Sequence, residues 1–463
     1  MVECVLVRSW RWQADSCDRG MEAPDVAVRR QRAAERARWA YVVLPLLCTM
    51  LGGDVVNNSA LVTARGMSTM FTGMGSAEMA VEYLRAAAVD VGLPMQVSPT
   101  FALDINPLTR SFMAARYGVE HPVFADIMNL FMIPFWNDDW PWQHKFKMLL
   151  FHCPIRDTWF DEDTRQYVPI PHSDVDTSGS PCVDYSTANS HTRDGRNGKY
   201  NQLFLAWASW HIRKETRVLF HENVANFDIE FALLVLGGFY ICYVLYVEPA
   251  HAGFGHVARS RSIIVAFHRK RCKVVANVHD VYKAVSTMLQ ASEATVEDLF
   301  LAQSDEIVNE EVEQCIYRER VPLQSSNLTY TLHTTLQKYV RVFDFYFWSQ
   351  HGTLPSLVPW LLYNLQDNPR NRLTWSANSR KMPALRRDSR FVWSPFLKHW
   401  VTFNERLAGM GWPVYMEQAT SANVAQWIPP SRCVEVQHAL GDSIHIANLG
   451  VVIAVGLSCV HFL

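Results

Sequence analysis

The chain has no Cys-x-x-Cys pair; its ten cysteines fall singly at positions 4, 17, 48, 153, 182, 242, 272, 315, 433 and 459. That spacing excludes the common structural zinc frameworks, so no metal is expected. No convincing signal peptide precedes the chain, so a disulfide scaffold is not expected either. The reading is a reduced, intracellular protein with free thiols. Charge of one sign is also missing: 43 basic residues face 45 acidic ones, for a net charge of −2. This excludes a global basic footprint, and any nucleic-acid contact must come from a local patch. Long apolar runs are scarce. The run over 40–53 is too short to span a bilayer and carries Pro45. The tail over 444–463 holds His445, Asn448 and His461 and reads as a buried helix rather than an anchor, so no membrane is expected. Internal repeats and long low-complexity tracts are absent.

What is present fits a globular protein. The 463 residues are 49% hydrophobic and 12% aromatic, enough for two or three domains and a large core. Residues 1–65 read as a variable leader, Arg-rich and then apolar. From Met67 strands, loops and helices alternate. Phe71-Thr72-Gly73-Met74-Gly75 reads as a strand end and glycine turn, followed by a helix through Met79, Tyr83 and Leu84. A strand over 100–103 ends in Asp104, with a helix from Pro107, and a third strand ends near Asp126. Further on come a helix over 203–212 and strands over 218–220, 240–246 and 262–267. The alternation predicts a doubly wound, Rossmann-like α/β sheet. Residues 130–178, rich in Trp and Pro, read as an insertion. Residues 273–398 change character: acidic and helical first, then basic through Arg370, Arg372, Arg380 and Lys381. They read as a separate, smaller module, and 399–463 as a closing segment.

Several residues carry chemistry in this pattern. Phe71, Gly73 and Gly75 let backbone approach a ligand at a strand's carboxyl end. Asp104 and Asp126 fall at the next two strand ends, which line the same crevice. Each is either a helix N-cap or an acceptor, for ribose hydroxyls in one case and an adenine amino group in the other. Together with the turn they favour an adenosine-bearing cofactor. Cys182 follows Pro181 in a polar loop with Asp184, Ser186, Asn189 and Ser190, where a thiol can reach a ligand; the alternative is a structural thiol. Glu222, before Asn223, closes an apolar run, where a carboxylate is costly unless paired or protonated for a purpose. Arg259 and Arg261 straddle Ser260 on an expected strand, which places both on one face.

In this order the segments resemble the cytosine-C5 DNA methyltransferase family. Phe71-Thr72-Gly73-Met74-Gly75 is similar to its cofactor loop, Pro181-Cys182 to its nucleophile motif, Glu222-Asn223-Val224 to its Glu-Asn-Val motif and Arg259-Ser260-Arg261 to its Arg-x-Arg motif. Leu203-Phe204, Asn404-Glu405-Arg406-Leu407 with Gly411-Trp412-Pro413, and Leu440-Gly441-Asp442-Ser443 match further family blocks. The likeness covers about 67–270 and 399–455. It departs at Thr69, Ser76, Val183, Val257 and Asp442, where the family carries Asp or Glu, Gly, Gln, Gln and Asn. The resemblance implies a catalytic domain over 66–272, a target-recognition region over 273–398 and a return to the catalytic domain over 399–463. It implies S-adenosylmethionine as cofactor, bound by Phe71, Gly73, Gly75, Asp104, Ile105, Asp126, Ile127, Asp442 and Ser443. Cys182, Glu222, Arg259 and Arg261 would then be catalytic, with Pro181, Asn223, Arg370, Arg372, Arg380 and Lys381 on the substrate. The expected substrate is cytosine in DNA, with RNA, tRNA in particular, or a non-catalytic binding role as alternatives. A nuclear location follows for a DNA substrate; Arg29-Arg30-x-Arg32 and Arg269-Lys270-Arg271 are the short basic clusters available for it.

Overall fold

A computed structural model describes residues 26–463 apart from 72, 119–120, 134–135, 163, 187–194, 291–293, 387–388, 429–438 and 442. Cys4, Cys17, Cys433, Asn189, Ser190 and Asp442 therefore lie outside the described residues. Strands run in chain order as β1 Gly66–Met70, β2 Ser98–Leu103, β3 Val123–Phe124, β4 Thr158–Asp161, β5 Gln166–Pro169, β6 Val175–Ser178, β7 Val218–Val224, β8 Tyr240–Val247 and β9 Arg261–His268. Seven of them form one sheet in the order β3-β2-β1-β6-β7-β9-β8. The pairs from β3 through β7 are parallel, and β9 runs antiparallel to both β7 and β8. The fold is thus a doubly wound α/β sheet whose winding reverses between β1 and β6. In such sheets ligands bind beyond the carboxyl ends of the strands at that switch.

Helices cover both faces, so the strands are apolar on both. Along β7, Val218 and Phe220 enter one core and Leu219 the other; along β9, Ile263 and Val265 part from Ile264 and Ala266 in the same way. Helices Trp39–Leu51, Ser76–Asp90 and Ile446–Ser458 pack on the first face, and Asn201–Lys214 with Ile229–Leu236 on the second. Local sequence sets the ends. Helix Pro107–Tyr117 starts with Pro at its first turn, and the Asn106 side chain accepts from Leu108 N.

Three expectations change. The insertion expected over 130–178 ends earlier, because β6 is the central strand between β1 and β7. It carries a single apolar residue and yet is buried throughout. Its Asp176 resolves this: Oδ1 accepts from Ser178 Oγ (2.5 Å) and Trp207 Nε1 (2.7 Å), and Oδ2 from Ser68 Oγ (2.8 Å). His211 Nε2 stands 3.3 Å from the same carboxylate. Burial pushes the Asp176 carboxyl up, but the His211 ring and the hydrogen bonds outweigh it and hold it below the usual range. The rest of the Trp-rich stretch covers the sheet's edge. Trp159 of the β4–β5 hairpin stacks on Phe124 at 4.4 Å, and Asp161 accepts from Val123 N (3.0 Å).

The leader expected over 1–65 is built into the core over its described part. Trp39, Leu44 and Leu47 are buried. Arg30 pairs with Glu306 (2.5 Å) and Glu417 (3.5 Å), and Arg32 and Arg36 with Asp298 (3.4 and 3.3 Å). The Arg29-Arg30-x-Arg32 cluster is therefore engaged within the fold, with Arg29 itself buried. Among the described residues no single helix is long and apolar enough to cross a membrane. The segments Val26–Leu51 and Gly53–Thr63 pass that test only together, bent by 114°.

The region expected over 273–398 divides. Strand β10 Cys272–Val274 and helix Val278–Leu289 belong with the main core, through Val278, Val281, Val285 and Leu289. Strands β11 Tyr363–Asn364, β12 Val392–Ser394 and β13 His399–Trp400 form a separate antiparallel sheet. That sheet has its own core, with Phe343, Phe347, Trp375, Trp393 and Trp400. The chain closes with β14 Val460–Phe462 paired to β10, while the ring N–H of His461 donates to Val55 O (3.1 Å), 406 residues away.

Helix Ile446–Ser458 is buried along its whole length. Two glycines allow it: a Cβ at Gly450 would lie 2.1 Å from the Trp39 ring, and one at Gly456 2.7 Å from the Phe220 ring. Gly450→Ala should lower stability by about 1–3 kcal/mol through overpacking, although alanine favours helix. A urea midpoint equal to wild type would refute the close packing of helices Trp39–Leu51 and Ile446–Ser458.

Candidate active site

At the carboxyl end of β1 the chain turns through Phe71, Gly73 and Gly75, with φ of +58°, +59° and +85°. Glycine meets that demand freely, whereas Phe71 holds a left-handed conformation at a steric cost. A Cβ at Gly75 would lie 2.7 Å from Met113 Sδ, so this position also requires close approach. Asp104 ties the turn to β2: Gly73 N donates to its Oδ2 (3.1 Å) and Asn106 N to its Oδ1 (2.8 Å). Asp126 Oδ1 accepts from Met128 N (2.9 Å) and caps a short 3₁₀ turn. Both acids thus serve local backbone, and a carboxylate keeps lone pairs for further donors. Ile105 is 71% exposed beside them, an apolar face at the mouth of the crevice. The Ile127 side chain is fully buried in the core. Beneath the turn lies a pair the sequence reading missed. The Thr69 hydroxyl donates to Glu78 Oε1, and Glu78 is buried in the first turn of helix Ser76–Asp90, at its positive end. The signal for it is an acid three residues after Gly75.

On the neighbouring strand, β6 ends at Ser178 and the chain passes over β7. Gly179 lies against Glu222, where a Cβ would come within 2.9 Å of Oε2. Ser180 Oγ is 2.9 Å from His221 Nε2, and Asn223 Nδ2 donates to Ser180 O (3.0 Å) and Oγ (3.3 Å). Pro181 and Cys182 follow, both half-buried. Past the cysteine, Ser186 N and Tyr185 N donate to Cys182 O (2.8 and 3.0 Å). Asp184 Oδ2 accepts from Tyr200 N (3.0 Å), and Tyr185 Oη accepts from Asn201 Nδ2 (2.9 Å). The thiol is therefore held between anchors on both sides. Asn223, expected on the substrate, is 1% exposed and acts as one of these anchors.

Arg261 sits on β9 opposite Val224, so it shares a sheet face with Glu222, one step along the diagonal. Its Nε lies 2.6 Å from Glu222 Oε1, a charge-assisted pair at the end of the strand. Arg259 is placed differently from the expectation. β9 begins at Arg261, so strand alternation does not extend to residue 259. Arg259 is buried and donates to Leu385 O (3.1 Å), Gly441 O (3.1 Å) and Ser443 O. It joins the main sheet, the smaller module and the closing segment. Val257 belongs to the same junction: it bridges to Met382 and is buried, which suits valine. Ser443, expected at the cofactor, is 2% exposed and its hydroxyl donates to Ala439 O (2.8 Å).

The expected substrate-side cations are spread out. Arg370 and Arg372 are exposed, the Arg380 guanidinium lies over the Trp360 ring at 5.0 Å, and Lys381 pairs with Glu248 at 3.0 Å. Among the described residues, no group of His, Cys, Asp and Glu is arranged to hold a metal.

No family model and no curated protein matches the sequence. Among solved structures, the chain is similar to a Schizosaccharomyces pombe Dnmt2 methyltransferase at 14% identity, covering 84% of this chain and 97% of that one with a TM-score of 0.46. It is also similar to the Entamoeba histolytica methyltransferase EhMeth at 11% identity, covering 85% and 97% with a TM-score of 0.45.

The histidines around the site set an acid limit. Burial pushes the rings of His221 and His445 down to about 3, so both are neutral near pH 7. The unfolded chain binds their protons from about pH 6.5 downward and the folded chain does not. Stability is full above pH 6.5 and falls on acidification, each ring adding a slope of up to about 1.4 kcal/mol per pH unit. Urea unfolding from pH 7 to 4.5 measures this; a flat profile would contradict the burial of neutral rings.

Proposed function

We propose that the protein is a divergent cytosine-C5 methyltransferase acting on DNA. The observation that carries this is the Glu222–Arg261 pair, 2.6 Å apart beneath the loop that delivers Cys182. An acid and a guanidinium in contact, with a thiol on the adjoining loop, are the groups that activation of an electron-poor ring requires. In the proposed reaction the Cys182 thiolate adds to C6 of cytosine and makes C5 nucleophilic. Arg261, drawn to the O2 edge of the ring, releases Glu222, which would take a proton from water and donate it at N3, recovering it when Cys182 leaves; the two groups thereby offset charge developing on the base. S-adenosylmethionine, when bound, would supply the methyl group to C5 and leave as S-adenosylhomocysteine. Loss of the C5 proton to water and expulsion of the Cys182 thiolate regenerate the site. The base must leave the stack to reach a loop packed this closely on the sheet.

The crevice supports the cofactor assignment by the chemistry of its donor set. Asp104 and Asp126 offer acceptors for ribose and adenine donors, Ile105 offers an apolar face, and the Gly73 and Gly75 turn allows close backbone approach. Arg259 takes a positioning role here, since its donors go to backbone carbonyls at the junction. Arg370 and Arg372 remain candidates for phosphate contact.

Duplex DNA carrying 5-fluorocytosine should form a denaturant-stable adduct only with S-adenosylmethionine present, because fluorine blocks the final elimination. Cys182→Ala should abolish it; an adduct that survives that change would refute the site. An adduct with tRNA alone would assign the chemistry to RNA. No adduct with either, alongside intact cofactor binding, would leave a binding protein.

A further inference from the structure

Ser180 is held more firmly than a loop residue needs to be. It precedes proline, which confines it to extended backbone, and Pro181 has its own φ fixed. Its carbonyl and hydroxyl both receive Asn223 Nδ2, and its hydroxyl meets His221 Nε2. His221 and Asn223 flank Glu222 on β7 and project from the strand's opposite face. His221 is 1% exposed, set among Phe204, Trp207 and Phe227 at 4.9, 4.8 and 5.3 Å between ring centroids. Its Nδ1 has no hydrogen-bond partner among the described residues, so Ser180 Oγ is the polar contact of the whole ring. Burying an imidazole for a single bond is costly. That bond fixes a residue separated from Cys182 by one rigid proline, while Gly179 on its other side touches the Glu222 carboxylate.

We infer that Ser180, locked by His221, is the positioning residue of this site and sets where the Cys182 thiol stands relative to Glu222. The inference rests on the cytosine-methyltransferase reading. Removing the hydroxyl leaves the thiol and the acid present but loosely placed, and a displacement of about 1 Å typically costs on the order of 100-fold in rate.

The test uses Ser180→Ala, Ser180→Thr and His221→Gln in the full chain. Single-turnover adduct formation with 5-fluorocytosine DNA should slow roughly 10- to 100-fold in Ser180→Ala, with S-adenosylmethionine affinity within about 2-fold of wild type. Ser180→Thr, which keeps the hydroxyl, and His221→Gln, which keeps an amide donor, should recover much of the rate. A second readout needs no nucleic acid. The rate profile of Cys182 alkylation by iodoacetamide, which reads the surroundings of the thiol, should differ from wild type in Ser180→Ala and match it in Ser180→Thr. Adduct formation at the wild-type rate in Ser180→Ala overturns the proposal. So does an unmoved alkylation profile, which decides the matter even if the wild type forms no adduct and the cytosine reading itself fails.

Discussion

Asp176 is the point on which the rest of the site depends. A carboxylate in the middle of a buried central strand is tolerable only with its lone pairs satisfied, and here the satisfying groups come from β1, β6 and helix Asn201–Lys214. Ser178 passes the constraint onward. Its hydroxyl donates to Asp176 and also accepts from Met70 N, the last amide before the glycine turn. Gly179 N then meets Met70 O (3.4 Å). One buried charge thereby fixes the spacing between the turn proposed to cradle the cofactor and the loop proposed to carry the nucleophile.

This constraint explains what the sequence revealed and what it concealed. Other strands of the sheet are apolar on both faces over 100–103, 218–220, 240–246 and 262–267, so those segments were legible from composition. β6 was not, because Asp176, Thr177 and Ser178 read as loop until their partners are known. The same blindness applied to His221 and Ser180, a pair 41 residues apart whose meaning exists only once β6 and β7 are neighbours. Ile127, Asn223 and Ser443 show a different kind of concealment. Each sits in a segment with a recognisable motif, yet burial and bonding place it among the supports of the site. Arg259 and Arg261 show how short a pattern can mislead: the alternation argument required a strand to begin two residues earlier than it does.

The smaller module has its own apolar cluster, and Leu362, Met382, Leu385 and Val392 also tie it into the main core. Backbone hydrogen bonds add to that attachment. Met382 N donates to His256 O (2.7 Å), Ala258 N to Met382 O (3.0 Å), and Arg259 reaches Leu385 O across it. These contacts fall within five residues of Arg261, so the orientation of the module and the geometry of the proposed base pocket share a boundary. Arg259 has a larger structural consequence at that boundary than it would have as a second ligand for the base.

The packing of helix Ile446–Ser458 between Trp39 and Phe220, and the bond from His461 to Val55, have a kinetic consequence. Helix Trp39–Leu51 packs on Ser76–Asp90 as well as on Ile446–Ser458, so the part of its apolar face that meets the later helix stays open in a growing chain until that helix is made. The final closure joins segments almost a whole chain apart, the kind of contact that forms late and slowly. During that interval, assistance from chaperones and the rate of synthesis bear on the yield of folded protein more directly than the strength of any single contact.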